Sequence, residues 1–252
     1  MYPVRPPDFE LRAYYAALYD AWGEQHWWPA QSRFEVIAGA YLAQNTSWKN
    51  VEKALRNLRR SRALNAAVIR DMPLARLEAL VRPAGYFRQK ALRLKQFACF
   101  LQERYQGSLD RMFAQPTAAL RQELLALNGV GPETADSILL YAGAHSVFVV
   151  DAYTRRILER HGLVDQRAGY DQIRELCERS LAAIGAADEV APGRTVPSPL
   201  AHRPSRMSCA RLSPATRRYN QMHGLIVLAG KLHCHKQAPN CEGCPLQRFL
   251  PS

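Results

Sequence analysis

No apolar run in the 252 residues approaches the roughly 18 that a membrane span requires, and the opening stretch MYPVRPPDFELRAYY has no apolar signal core. A cytoplasmic protein with no membrane partner is expected. Alternation with a period of two is also scarce: the best strand candidate, HSVFVVD, is short and isolated, so the economical reading is an all-α fold. Acid is in short supply, with 22 Asp and Glu against 34 Lys and Arg. The resulting formal charge of +12 attracts a polyanion, makes such binding salt-dependent and puts nucleic acid first among partner classes, ahead of a merely soluble basic chain. Cysteine is sparse too. Of six, Cys99 and Cys177 stand alone in helical patterns, while Cys234, Cys241 and Cys244 crowd together near the end; in a cytosolic chain such crowding points to metal rather than disulfides.

Apolar residues recur at helical spacing: Leu11, Tyr14, Tyr15, Leu18 and Trp22; Val51, Leu55 and Leu58; Leu92, Leu94, Phe97 and Leu101. Trp22 at that spacing reads as core. Short helices are expected between the breakers WWPAQS, DMPLA, RPAGYF, AQPT and NGVGP. The stretch APGRTVPSPLAHRPSRMSCARLSPATRR has little periodicity, and residues 187–217 are read as a flexible surface insertion. Its Arg203, Arg206, Arg211, Arg217 and Arg218 could lie along a phosphate backbone, or the segment could be a solvated linker.

LRQELLALNGVGPETADSILLYAG, within residues 120–142, reads as helix, tight turn, helix. Gly129 and Gly131 permit backbone angles that other residues resist, and Pro132 suits a first helical turn. Exposed N–H groups at such a turn can seat a phosphate oxygen without reading sequence, although many helical hairpins turn on glycine for packing alone. After the apolar VFVV comes Asp151, opening the helix-like AYTRRILERHG, where it would serve as an N-cap.

A helical hairpin with a Gly/Pro turn, followed at this distance by an Asp, resembles the endonuclease III (helix-hairpin-helix-GPD) superfamily of DNA glycosylases. The likeness extends over nearly the whole chain, through FEVIAGAYLAQNTSWKNVEKAL, GYFRQKALRLKQF and HGLIVLAGKLHC. It implies a two-lobed, all-α base-excision-repair enzyme that acts on double-stranded damaged DNA as a monomer, reaching the nucleoid through that DNA. One lobe would comprise residues 1–30 with 148–252, and the other residues 31–147, a six-helix-type lobe. The damaged base would be flipped out of the stack. Asp151 would be the catalytic carboxylate, stabilising the sugar cation and activating water. Gly129, Val130, Gly131 and Thr134 would contact DNA.

In the family's lyase branch a Lys two residues after the second hairpin glycine attacks the sugar. Glu133 stands in that place here, so hydrolysis by a monofunctional glycosylase is expected unless another amine such as Lys231 substitutes. Trp27, Trp28 and Trp48 around the Gln44-Asn45-Thr46 loop resemble the 3-methyladenine glycosylase branch. That likeness implies an alkylated purine, with Trp28 and Trp48 stacking on it, Gln44 and Trp27 in the pocket, Glu133 contacting the base and Lys231 near Asp151. The terminal CHKQAPNCEGC, within the loop 234–250, resembles three of the four ligands of a 4Fe-4S cluster. The fourth position is Leu250, leaving Cys209, His233 or His235 as substitutes, or a three-iron cluster, zinc or no metal. An endonuclease III-like glycosylase and lyase on oxidised pyrimidines, and a DNA-binding protein without catalysis, are the alternatives.

Overall fold

The computed structural model describes residues 7–184 and 202–251. Residues 187–201 of the expected insertion lie outside the described residues. Among those described no strand occurs, and the helices in chain order are α1 (Pro7–Trp22), α2 (Arg33–Ala43), α3 (Trp48–Arg60), α4 (Ala66–Asp71), α5 (Leu74–Val81), α6 (Phe87–Tyr105), α7 (Leu109–Phe113), α8 (Thr117–Leu125), α9 (Pro132–Ser137), α10 (Ala152–Arg160), α11 (Tyr170–Ala182) and α12 (Pro214–Leu232). No helix among the described residues is long and apolar enough to cross a membrane. The chain divides into two compact units, Met1–Pro29 with Ser146–Ser252, and Ala30–His145.

In the unit Ala30–His145, α2 begins where the Ser32 side chain accepts from the Glu35 N–H, and every residue from Phe34 to Leu42 is buried. A helix that is enclosed on all sides serves as the centre of its unit. Around it, α3 turns Val51, Ala54, Leu55 and Leu58 inward, and α6 turns Ala91, Leu94, Phe97, Ala98 and Leu101 inward. The charges this centre encloses are paired. Glu35 accepts from the Gln31 N–H at 2.9 Å and is salt-bridged to Arg59. Lys90, only 2% exposed, donates to the carbonyls of Leu42 (2.9 Å) and Ala84 (2.7 Å). It thereby satisfies a carbonyl near the end of α2 that the helix leaves without a partner, while burial pushes the ammonium down to about 8.

In the other unit α12 takes the central place, buried without interruption from Met222 to Gly230. Two bare positions make its packing close. A side-chain carbon at Gly230 would lie 2.1 Å from Cδ1 of Tyr153, and one at Gly224 would lie 3.0 Å from Cβ of Trp27. Both aromatics therefore rest almost on the helix backbone. This contact offsets the roughly 0.5–1 kcal/mol that a mid-helix glycine costs relative to alanine. Trp22, expected in the core, is only partly buried and stacks on His233 at 6.0 Å between ring centroids.

The strand candidate within HSVFVVD forms no sheet. Val147, Phe148, Val149 and Val150 are all buried, and side chains take the place of a pairing strand: the Phe148 N–H donates to Glu178 Oε1 at 2.9 Å and the Val150 N–H to the Tyr170 hydroxyl at 3.3 Å. This apolar run delivers the next residue, Asp151, to the head of α10.

Candidate active site

The expected site residues fall in both units. In the unit containing α12, Asp151 is the N-cap of α10, with extended backbone angles. Its Oδ1 accepts from the Thr154 N–H at 2.7 Å and the Thr154 hydroxyl at 3.0 Å. Cap and hydroxyl together fix the carboxylate plane through one oxygen. The second, Oδ2, faces His223 Nε2 at 3.7 Å, too long for a hydrogen bond. His223 is 4% exposed, and burial pushes its pKa down while the Asp151 charge acts in the opposite sense.

Trp27 joins this group. Its ring lies 6.4 Å from that of His223 and 6.4 Å from that of Trp28, edge-on to both. The Lys231 ammonium stands 5.3 Å from the Trp27 ring centre, a cation–π arrangement. Trp28 is the more enclosed of the pair at 7% exposed, and its carbonyl accepts from Ser205 at 3.4 Å.

In the unit Ala30–His145, α8 and α9 form the expected hairpin. It is bolted by a two-pronged ion pair: Arg121 Nε donates to Asp136 Oδ1 at 2.7 Å and Nη2 to Oδ2 at 3.1 Å, with Asp136 fully buried. Gly129 has φ +75°, which a side chain would strain. The Val130 N–H is used inside the turn, on the Leu127 carbonyl at 3.1 Å. Thr134 is buried and its hydroxyl accepts from Gln44 Nε2 at 3.0 Å. Gly129 is half-buried and Gly131 exposed; among the described residues neither N–H has a partner.

Gln44 braces the hairpin, since its Nε2 also donates to the Gly129 carbonyl at 2.9 Å, while Arg93 Nη1 donates to its Oε1 at 3.0 Å. Trp48 heads α3 and its indole N–H donates to Glu52 at 2.9 Å, leaving the ring part-exposed. Glu133 is exposed in the first turn of α9, where an acid favours the helix dipole.

The sequence reading passed over His223 and Tyr86, and took Arg93 only together with the other basic residues of YFRQKALRLK, as phosphate contacts or a solvated face. His223 lies inside the quoted HGLIVLAGKLHC, where a single histidine in an apolar helix carries no signal of what lies opposite. Arg93 is one of many basic residues on α6, and only the fold sets it beside the bare Gly129. Tyr86, 67% exposed at φ +44° before α6, is an aromatic held in solvent, an unusual setting that spacing alone does not reveal; Arg82 and Arg88 lie over the ring of its neighbour Phe87, at 5.7 and 5.8 Å.

The cysteine loop follows α12. Arg160 donates to Cys234 Sγ (3.1 Å) and to the carbonyls of His235 (2.6 Å) and Lys236 (2.7 Å), and Arg156 to the Cys234 carbonyl (2.8 Å). Burial raises the Cys244 pKa; Leu246 and Gln247 N–H groups oppose that by hydrogen bonding, and Cys241 and Cys234 raise it further. Cys241 and Cys234 thus both lie within electrostatic reach of Cys244. Cys209 is exposed and lines a cavity with Glu24, His26, Trp27 and Arg217. Among the described residues no three His, Cys, Asp or Glu side chains stand in a metal-holding arrangement.

Residues 38–183 match the family model of the HhH-GPD superfamily base excision DNA repair protein. MJ1434, a candidate DNA repair glycosylase of Methanocaldococcus jannaschii, is 41% identical over 240 residues, 94% of each chain. The H. pylori 3-methyladenine DNA glycosylase MagIII, solved with 1,N6-ethenoadenine, is similar with a TM-score of 0.69 and 30% identity, over 89% of this chain and 97% of that one. An endonuclease III in a non-covalent complex with DNA shares the fold, with a TM-score of 0.67 and 20% identity over 96% and 94% of the two chains.

Proposed function

Because this chain belongs to the HhH-GPD superfamily of base excision DNA repair proteins and is one of its DNA glycosylases, we propose that it is a monofunctional enzyme that hydrolyses the N-glycosidic bond of a flipped, alkylated purine. The observation that carries the reading is the Asp151 carboxylate. Thr154 holds one oxygen and the other is left for chemistry. As the base departs, positive charge grows on the sugar; Asp151 stabilises it and orients the attacking water. Glu133 has no amine with which to form a Schiff base, so the product is an abasic site rather than a broken strand.

Double-stranded DNA is the partner, drawn by the +12 charge and seated at the Gly129 and Gly131 amides. Trp27 and Trp28 in one unit, and Gln44, Trp48 and Glu133 in the other, are the residues assigned to the base, with Lys231 assigned to the neighbourhood of the carboxylate. The likeness to MagIII, whose structure holds an ethenoadenine, supports a modified purine. The enzyme works as a monomer within the cytoplasm.

Cys234, Cys241 and Cys244 would hold an iron–sulfur cluster by three corners. Hydrogen bonds onto Cys234 and Cys244 sulfurs suit thiolate ligands. The donor set stops at three, with Leu250 where a fourth Cys is expected and Cys209 beside other residues. Such a cluster would shape the loop and takes no part in excision; absorbance near 400 nm and iron content after anaerobic purification report its presence.

The test is incubation with DNA bearing 3-methyladenine, the products split between hot alkali and none. Strand breaks only after alkali are expected, and breaks without it would overturn the monofunctional reading. Asp151→Asn should lose on the order of 10³-fold in rate. Asn caps a helix as well as Asp does, so stability should barely move. An Asn variant of normal rate would remove Asp151 from the mechanism.

A further inference from the structure

His223 has no part in the excision chemistry set out above, yet its ring is the group beside the one Asp151 oxygen left for chemistry. Thr154 occupies Oδ1 with two donors, and His223 Nε2 stands 3.7 Å from Oδ2. The imidazole is fixed in place. Trp27 packs edge-on against it at 6.4 Å, Phe148 does the same from the buried run at 6.3 Å, and the neighbouring Gly224 lets Trp27 come close. Among the titratable and charged groups on these elements, Asp151 faces the ring from the head of α10. Lys231, two turns along the same helix, lies against Trp27, as does His202 on Trp27's ring.

We propose that His223 is a positioning residue for excision, leaving Oδ2 available while neutral and taking it into an ion pair when protonated, so that it sets the acid limit of the reaction. This rests on the reading of Asp151 as the excision carboxylate. The physical logic is a competition for one negative charge. A neutral imidazole in van der Waals range leaves that charge for the developing sugar cation and for the water. An imidazolium at the same place would shorten the gap to a charge-assisted hydrogen bond and spend the charge there. The proton comes from solvent, and no bond to carbon is involved. Burial favours the neutral form at neutral pH, so the enzyme works with the oxygen available.

The experiment is single-turnover excision of 3-methyladenine at saturating enzyme, from about pH 5 to about pH 8, for the wild type, His223→Gln and Asp151→Asn. The wild-type rate should fall on the acid side with a slope of one, about tenfold per pH unit. His223→Gln, which cannot ionise there, should keep its rate through the same range. Superimposable acid limbs, or a loss of equal proportion at every pH, would overturn the proposal. An active Asp151→Asn protein would instead sink the reading on which it stands, and the proposal with it. If His223→Gln does not fold, NMR titration of the His223 ring decides: Asp151→Asn should move its pKa further down, and an unmoved value overturns the pairing.

Discussion

The two central helices, α2 and α12, treat buried charge in opposite ways. Around α2 and the hairpin, ionic groups are closed onto partners: Glu35 on Arg59, Lys90 on two carbonyls, Asp136 on Arg121. Around α12, the Asp151 carboxylate is tied by one oxygen, with its other beside His223 at a distance longer than a hydrogen bond. A charge whose every bond is made contributes architecture, whereas a carboxylate with an oxygen in reserve is equipped for chemistry at some cost in stability. Substitutions in the first group should act on folding and those in the second on rate.

The most severe way to break this contrast is to leave Asp136 buried without Arg121. Arg121→Ala should cost about 3–5 kcal/mol, because the Asp136 carboxylate would lose its two-pronged cation at a fully buried site. Denaturant unfolding would measure it. Replacing both residues together should cost less than the single change, because the stranded charge is then gone. A single variant within about 0.5 kcal/mol of wild type would mean the pair is ornamental and the contrast mistaken.

Gly230→Ala sharpens the comparison from the other unit. The added carbon would meet Tyr153 Cδ1 at 2.1 Å, so the ring or the helix must shift, at a cost of about 1–3 kcal/mol. The same shift would move α10 against α12, and with it Asp151 relative to His223. Excision should therefore fall more than the small stability loss explains, whereas a rate unchanged at full folding would show that Asp151 does not depend on this contact.

Much of this arrangement could be read from the order of residues, and the reasons are local. The hairpin follows from Gly129, Gly131 and Pro132, whose backbone preferences act within a few positions, and helical spacing marked α3 because its apolar face obeys one period; on α6 Leu94, Phe97 and Leu101 are buried, while Leu92, read with them, faces solvent at 45% exposed because it lies off that face. Asp151 was legible as a cap because a cap needs only the residues that follow it. The buried run Val147–Val150 was less so: its partners, Glu178 and Tyr170, lie 30 and 20 residues away, and nothing local distinguishes it from a strand. His223 was hidden for the same reason, since the residue that gives it meaning is 72 positions earlier. The closing of Asp136 onto Arg121 spans only 15 residues, yet two opposite charges on adjacent helices are so common that spacing cannot single them out.

The smallest expected effect separates folding from chemistry within the unit of α12. His145 in one unit, and His161 and His223 in the other, all have pKa values pushed below 6.5, with burial as the main cause. Each therefore binds its proton less readily folded than unfolded. The unfolded chain holds more protons just below pH 6.5, so stability is full above that value and is lost as pH falls from about 6.5 through the lower folded values. Melting temperature should decline over that window. His161, bonded to the Tyr14 hydroxyl at 2.8 Å, belongs to the scaffold, so His161→Gln should lessen the decline while leaving the acid limb of excision where it was. His223→Gln should lessen the decline and displace the acid limb as well. If both variants displaced the limb equally, the acid loss of rate would be partial unfolding, and the reserve oxygen of Asp151 would have no need of its histidine.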